Sequence, residues 1–133
     1  MKSAVLELQA AVKAVLVAGL PKTPVYDGAP RNATVPFISL DEITTRRKDG
    51  LNAMIEEHRF VIRVWSKAGG KTEAVTLADQ VITLLDDARP TMPDHLVIRL
   101  YLDTSDSRVV RDRIAVETTL KFVAITEPKS ITG

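Results

Sequence analysis

The chain has 133 residues, with 18 Lys+Arg against 17 Asp+Glu, 45% hydrophobic residues and no cysteine. That apolar content excludes low-complexity disorder, and a formal charge of +1 excludes a bulk nucleic-acid coat, because neutralising many phosphates needs a clear cationic excess. Without cysteine there is no disulfide framework, thiolate metal site or cysteine nucleophile. A chain of this length supports one hydrophobic core, here expected as a single domain over 1–133 with a radius of gyration of roughly 14 Å.

The stretch from Ser3 to Leu20 is apolar but broken by Glu7, Gln9 and Lys13. No run approaches the ~20 apolar residues of a spanning helix, so the expectation is a soluble, intracellularly made protein with no membrane partner. Val5, Leu8, Val12 and Leu16 make one stripe on a 3.6-residue repeat behind Ser3, a candidate N-cap, and Gly19 with Pro21 ends this first helix. Pro21 to Pro36 holds four of the seven prolines and reads as an extended connection around a short strand at Val25 and Tyr26.

Phe37 to Ile43 reads as a strand. Hydrophobicity then disappears through Arg46-Arg47-Lys48-Asp49-Gly50, and the Asp-Gly pair signals a turn, so 44–57 reads as a protruding hairpin tip or mobile loop. From His58 to Ser66, Phe60, Ile62 and Val64 alternate with Arg59, Val61, Arg63 and Trp65, the pattern of a strand with one face on the core. After the turn Ala68-Gly69-Gly70-Lys71, Thr72 is placed to cap a second helix starting at Glu73. Ala74, Leu77, Ala78, Val81, Leu84 and Leu85 line its buried face, and Pro90 and Pro93 stop it. Two strand patterns follow. In the first, Leu96, Ile98, Leu100 and Leu102 alternate with Val97, Arg99, Tyr101 and Asp103; in the second, Ile114, Val116, Leu120 and Phe122 alternate with Arg113, Glu117 and Lys121. Thr104 to Ser107 reads as the turn joining them. The order predicts an α+β fold: an antiparallel-rich, mixed sheet with two helices packed on one face and a long hairpin or loop excursion.

Two helices cover one face of such a sheet and leave the other open. The residues on that parity are Val61, Arg63, Trp65, Val97, Arg99, Tyr101, Glu117 and Lys121, neither purely polar nor purely apolar. An ordinary solvated sheet face has this composition. So does a protein interface, where Arg, Trp and Tyr are enriched and both charge signs permit self-complementary contacts. Trp65 and Tyr101 as stacking platforms with Arg63 and Arg99 on phosphates would instead make a single-stranded nucleic-acid module, against which Glu117 and the balanced charge speak. Arg46, Arg47 and Lys48 read either as a solvated loop or as a contact arm.

No catalytic constellation assembles. His58 and His95 each stand at the start of an expected strand with no second ligand at metal-site spacing, which suits a satisfied edge histidine. Asp94 and His95 are neighbours, and neighbours on a strand point to opposite faces. Gly69-Gly70-Lys71-Thr72 lacks the glycine that a phosphate loop needs four residues before Gly69, where Trp65 stands. Asp86-Asp87 at a helix end, and Asp103 with Asp106 in a turn, suit local backbone bonds better than a divalent cation. No catalytic residue, cofactor or metal is expected; the enzyme alternative would rest on Asp94, His95 and Asp103.

Pro24-Val25-Tyr26-Asp27-Gly28, leading through Val35-Pro36-Phe37-Ile38, resembles the opening of the tail completion proteins, or tail terminators, of long-tailed bacteriophages and phage-like gene transfer agents. His58-Arg59-Phe60-Val61-Ile62-Arg63-Val64-Trp65-Ser66 with Gly69-Gly70-Lys71-Thr72-Glu73-Ala74 is similar to that family's strand–turn–helix core, while the polar excursion 44–57 departs from it. The resemblance implies a non-enzymatic virion protein at the head-proximal end of the tail, assembled in the bacterial cytoplasm. Copies would form a ring, commonly hexameric, that caps the tail tube and stops its growth. Its partners would be itself, the tail tube protein and a head-completion or connector protein, with DNA passing through the ring without sequence-specific binding. The face around Arg63, Arg99 and Tyr101 would serve the ring, its neighbours or its lumen, and 44–57 would reach an adjacent ring or subunit.

Overall fold

Seven elements follow one another in the computed structural model: α1 (Val5–Gly19), β1 (Val25–Asp27), β2 (Phe37–Asp49), β3 (Met54–Lys67), α2 (Lys71–Leu85), β4 (His95–Val110) and β5 (Ala115–Pro128). The described residues are 2–49, 54–67, 71–110 and 115–129. The strands form one sheet in the order β1-β2-β3-β5-β4, with β1 parallel to β2 and the other pairs antiparallel. This is the expected α+β fold with a mixed sheet, and α1 and α2 share the core with one face of it.

Helical and strand periodicities meet in that core. α1 turns Leu8, Val12 and Leu16 inward, four residues apart, and α2 turns in Leu77, Val81 and Leu85. Against them the sheet sets Ile38 and Leu40 from β2, Phe60, Ile62 and Val64 from β3, and Leu120, Phe122 and Ala124 from β5. Phe60 and Phe122 oppose each other across β3 and β5, with ring centroids 5.6 Å apart. Gly19 closes α1 because a side chain there would stand 2.6 Å from the Leu84 methyls of α2. Past the end of α2, Asp87 adopts the left-handed conformation, φ 63°, and its N–H donates to Leu100 O at 2.9 Å, stitching the helix exit to β4.

The structure departs from the sequence pattern in five places. Of the two readings of 44–57 the hairpin holds and the loop does not, and the strands are longer than expected: β2 runs to Asp49 and β3 starts at Met54, with Arg46 opposite Glu57 and Arg47 opposite Glu56. Lys48 pairs with Glu57 across the two strands at 3.5 Å, and residues 50–53 lie outside the described residues. Thr104 to Ser107 is likewise not a turn but part of β4, where Ser107 and Thr118 hydroxyls bond at 2.9 Å and Arg108 reaches Glu117 at 2.8 Å. β4 runs on to Val110 and β5 starts at Ala115; residues 111–114, Arg113 and Ile114 among them, lie outside the described residues.

A register shift between Val97 and Arg99 supplies the third correction. The extra residue of a bulge inverts the alternation, so Val97 enters the core while Leu96 and Ile98 stand 47% and 37% exposed. Fourth, α2 opens at Lys71, two residues early, so Thr72 lies inside the first turn, and the Glu73 carboxylate accepts the Lys67 N–H at 3.1 Å. Finally, the N-cap position of α1 falls on Ala4 and not on Ser3. Its hydroxyl accepts the Val5 N–H at 3.3 Å, while the Ala4 N–H goes to the Glu56 carboxylate at 2.9 Å.

Candidate functional site

Directly opposed residues of antiparallel strands share a face, so the register builds the open side of the sheet row by row. One row runs Trp65, Glu117, Arg108; the next Arg63, Thr119, Asp106; then Val61, Lys121, Thr104; then Arg59, Val123, Tyr101; and then Glu57, Ile125, Arg99. Arg63, Trp65, Arg99, Tyr101, Glu117 and Lys121 therefore do lie on one face, as the alternation predicts; Val97 does not.

Arg63 is the hub of this face. Its Nη1 donates to Asp41 at 2.7 Å and to Glu42 at 2.9 Å, and its Nε lies 3.9 Å from Glu117. The hydrogen bond to Glu42, ahead of the opposing effect of burial and the further bond to Asp41, pushes the Arg63 guanidinium above its ordinary value. In return, Arg63 holds the Glu42 carboxyl below the usual carboxylate range. Glu117 is only 5% exposed and also accepts the Arg108 Nε at 2.8 Å. Arg59 bridges Glu57 at 3.7 Å and Asp103 at 3.6 Å. Between these pairs runs a furrow of about 480 Å³ lined by Glu42, Arg59, Val61, Arg63, Asp103 and Lys121.

Aromatic groups flank the furrow. Trp65 stacks on Phe37 at 5.8 Å, and Phe37 meets Tyr26 edge-on at 5.7 Å. On the other side the Arg99 guanidinium sits 4.2 Å over the Tyr101 ring. The face thus offers a charge lattice of both signs between two aromatic shoulders, the residue types of an interface centre. The sequence reading missed Asp41, Glu42, Arg59 and Arg108. Their signal is the pairing register, which places Asp41 and Glu42, at the irregularity in mid-β2, near Arg63, and Arg108 opposite Glu117.

Arg46, Arg47 and Lys48 are not part of this furrow. They stand exposed on the β2–β3 arm, where Lys48 pairs with Glu57 at 3.5 Å. Of the histidines, His95 opens the edge strand β4 as expected, whereas His58 is not an edge residue. His58, the fifth residue of β3, is wholly buried, with Nδ1 2.8 Å from the Thr45 hydroxyl and Nε2 2.9 Å from the Thr126 hydroxyl. Burial, only partly opposed by Glu56 3.9 Å away, pushes its imidazole down from the ordinary 6.5, with a smaller downward effect from His95. His95 Nδ1 meets Glu7 at 2.8 Å and its Nε2 meets the Lys2 carbonyl at 3.1 Å, on the helix side of the sheet. Asp103 pairs with Arg59 on the open side, so Asp94, His95 and Asp103 form no common site. Among the described residues no group of three His, Cys, Asp or Glu could hold a metal ion, and no helix is long and apolar enough to cross a membrane.

The profile of the family described as tail completion protein gp17 matches residues 3–127, from the foot of α1 into the last strand. The chain belongs to that family. As a tail completion protein it is a structural protein whose place is the virion tail. A chain in a solved structure described as "Virion of native gene transfer agent (GTA) particle" has the same fold, with a TM-score of 0.81 at 24% identity, covering 96% of this chain and 99% of that one. A search of curated proteins gives no match. The open face is the side of the sheet that α1 and α2 do not cover. What it supplies is a patterned surface of matched charges, in a furrow that the covering helices leave free.

Proposed function

We propose that this tail completion protein acts as a tail terminator. Copies close into a ring, six in the habit of the family, that caps the tail tube, stops its polymerisation and presents the surface to which the filled head joins. All 133 residues act as one folding unit, no reaction is catalysed, and DNA passes through the ring without sequence-specific binding. Its neighbours are copies of itself, the tail tube protein and a head-completion or connector protein.

The observation that supports this reading best is that the two long hairpins point to opposite ends of the sheet. Lys48 pairs with Ile55, and Glu56 with Thr126, which faces Val97; the end of β2, the start of β3, the end of β5 and the start of β4 therefore lie at one end. Lys67 pairs with Ala115, and Ala115 with Val110, so the end of β3, the end of β4 and the start of β5 lie at the other. A part that meets a tube on one side and a head on the other needs two unlike ends. The first end carries Arg46, Arg47 and Lys48, and the second carries the matched pair Arg108 and Glu117. Between them the open face holds both charge signs, which lets copies approach without net repulsion.

A nucleic-acid stacking module is served less well, because Trp65 already stacks on Phe37 and Arg63 already holds two carboxylates. The test is electron microscopy of particles made with and without the chain. The expected result is a ring of this chain at the head-proximal tip, and tails of uncontrolled length with unjoined heads when it is missing. Tails of normal length bearing filled heads in its absence would overturn the reading.

A further inference from the structure

We infer that residues 2–4, ahead of α1, form a strap fastened to the sheet by a single proton: His95 of β4 holds it only as an imidazolium, with one N–H on Glu7 and the other on the Lys2 carbonyl. The inference does not depend on the ring reading above. Ala4 stands at the N-cap position of α1 and has no side-chain oxygen with which to close the first turn. The strap is tied down from far along the chain instead. The Ala4 N–H and the Ser3 hydroxyl both donate to the Glu56 carboxylate at 2.9 Å, and the Lys2 carbonyl lies 3.1 Å from His95 Nε2. Among the described residues, each hydrogen bond from the strap to the sheet therefore ends on an ionisable side chain.

The state of His95 follows from counting donors. A neutral imidazole has one N–H and one lone pair. The buried His95 ring instead meets an acceptor on each side, with Glu7 Oε2 2.8 Å from Nδ1 and the Lys2 carbonyl at Nε2. Glu7 is a carboxylate in this setting. Its other oxygen takes the Asp94 N–H at 2.7 Å; burial alone would raise its pKa, but that bond, the bond and charge of His95 and the charge of Lys2 outweigh burial and hold it below 4.5. Both contacts of the ring are satisfied together only when both nitrogens carry hydrogen. When the proton leaves, Glu7 keeps the N–H on Nδ1, because a bond to an ionised acceptor is the stronger of the two. Nε2 then turns a lone pair on the Lys2 carbonyl, and the strap is let go at that end.

Charges reach the ring from several elements. Glu7 comes from α1, and the Lys2 ammonium from the strap, 3.9 Å from Asp94 with both side chains exposed, so that pair is screened by water. Arg89, Glu127 and Lys129 line, together with His95, a groove of about 370 Å³ and set both charge signs beside it. On β3, His58 is the counterpart of His95. It stands between the Thr45 and Thr126 hydroxyls, which can give or take a hydrogen bond, so a neutral ring is fully satisfied there. Glu56, which takes the strap, lies 3.9 Å from His58 Nε2. The two histidines at the foot of α1 are thus built for opposite states.

The test is a nuclear magnetic resonance titration of the full chain, from about pH 5, where imidazole begins to titrate, upward until the His95 ring gives up its proton. At the acid end the 15N spectrum is expected to show two protonated ring nitrogens on His95, and the 13C signal of the Lys2 carbonyl to sit at its hydrogen-bonded position. Both should move with one midpoint, and docking of the strap should weaken by up to about tenfold for each pH unit beyond it, the slope of one linked proton. Glu7→Gln separates the proton from the contact. Its amide oxygen can take the Asp94 N–H while its NH2 donates to Nδ1, which leaves the N–H of a neutral ring on Nε2, so the Lys2 carbonyl should stay bonded after the ring is neutral. Three results would each overturn the inference: an unprotonated His95 nitrogen while the Lys2 carbonyl is still bonded in the unchanged protein, a Lys2 signal that ignores the His95 titration, or a Glu7→Gln strap that undocks as the original does.

Discussion

Charged residues gather in two regions of this molecule, and burial gives them different work. At the foot of α1, Glu56, His58 and His95 are buried and Glu7 half-buried; Glu56 takes the Ala4 N–H, Glu7 holds His95 of β4, and His58 ties β3 to Thr45 of β2 and Thr126 of β5. On the open face Arg63, Glu42, Arg59 and Asp103 make similar pairs, but water reaches them, so their loss is softened by solvation. The first region holds the fold; the second displays a pattern. Substitutions should separate the two, with stability responding to one and assembly to the other.

The largest effect on stability is expected from Glu56→Ala. It removes the acceptor for the buried Ala4 N–H and for the Ser3 hydroxyl, and should cost about 2–3 kcal/mol in denaturant unfolding, with faster amide exchange through the first turn of α1. A change below about 0.5 kcal/mol would break the contrast at its root.

Next comes pH. The His58 imidazole lies below its ordinary 6.5 in the fold, so the unfolded chain binds the proton first and stability falls as pH drops from 6.5 towards the lower folded value. Glu7 adds a second, more acidic window. Burial alone would raise it, but the Asp94 N–H together with the hydrogen bond and charge of His95 and the charge of Lys2 outweigh that and hold it below 4.5. Its contribution is present above 4.5 and lost as pH falls through the lower folded value. In urea titrations, His58→Gln should flatten the upper window and leave the lower one; an unchanged slope below 6.5 would remove His58 from the account.

Arg63→Ala should cost less, about 1 kcal/mol, since Asp41 and Glu42 can turn to water, yet it should impair joining of tails to heads. The smallest change in stability is expected for Arg99→Glu, within about 0.5 kcal/mol, with ring or tail assembly lost nonetheless. If that variant, its fold intact by circular dichroism, assembles normally, the open face is a solvated surface and not a display.

Legibility in the sequence followed the same division. The two helices, the sheet and the family were readable because the apolar periods of α1, α2 and β3 are strong and the Val64-Trp65-Ser66 block is distinctive. The ends of the hairpins were not. Arg46 to Asp49 and Thr104 to Ser107 have loop composition, and only a partner strand far along the chain turns them into ladder. The buried layer escaped for a related reason, since a histidine is satisfied by threonines and glutamates 13 to 88 residues away. Of the open face, the alternation fixed which side Arg63, Trp65 and Tyr101 occupy, but the bulge at Ile98 moved Val97 off it.

The length of the strands has a mechanical consequence. β3 has fourteen residues, about 46 Å at 3.3 Å each, whereas each fifteen-residue helix spans about 22 Å, so the sheet overhangs its clamp. The overhangs differ in width. Beyond Glu56 the β2–β3 arm is a two-stranded beam, since the β5 ladder to β3 stops at Thr126 and β1 spans only Ile38–Leu40 of β2. At the opposite end β3, β5 and β4 still run side by side at Lys67, Ala115 and Val110. Stiffness rises with the number of strands that share a bending load. The β3 ladder thus ends on one partner strand at Met54 and Ile55, and a load at that tip is shared by fewer strands than one at Lys67.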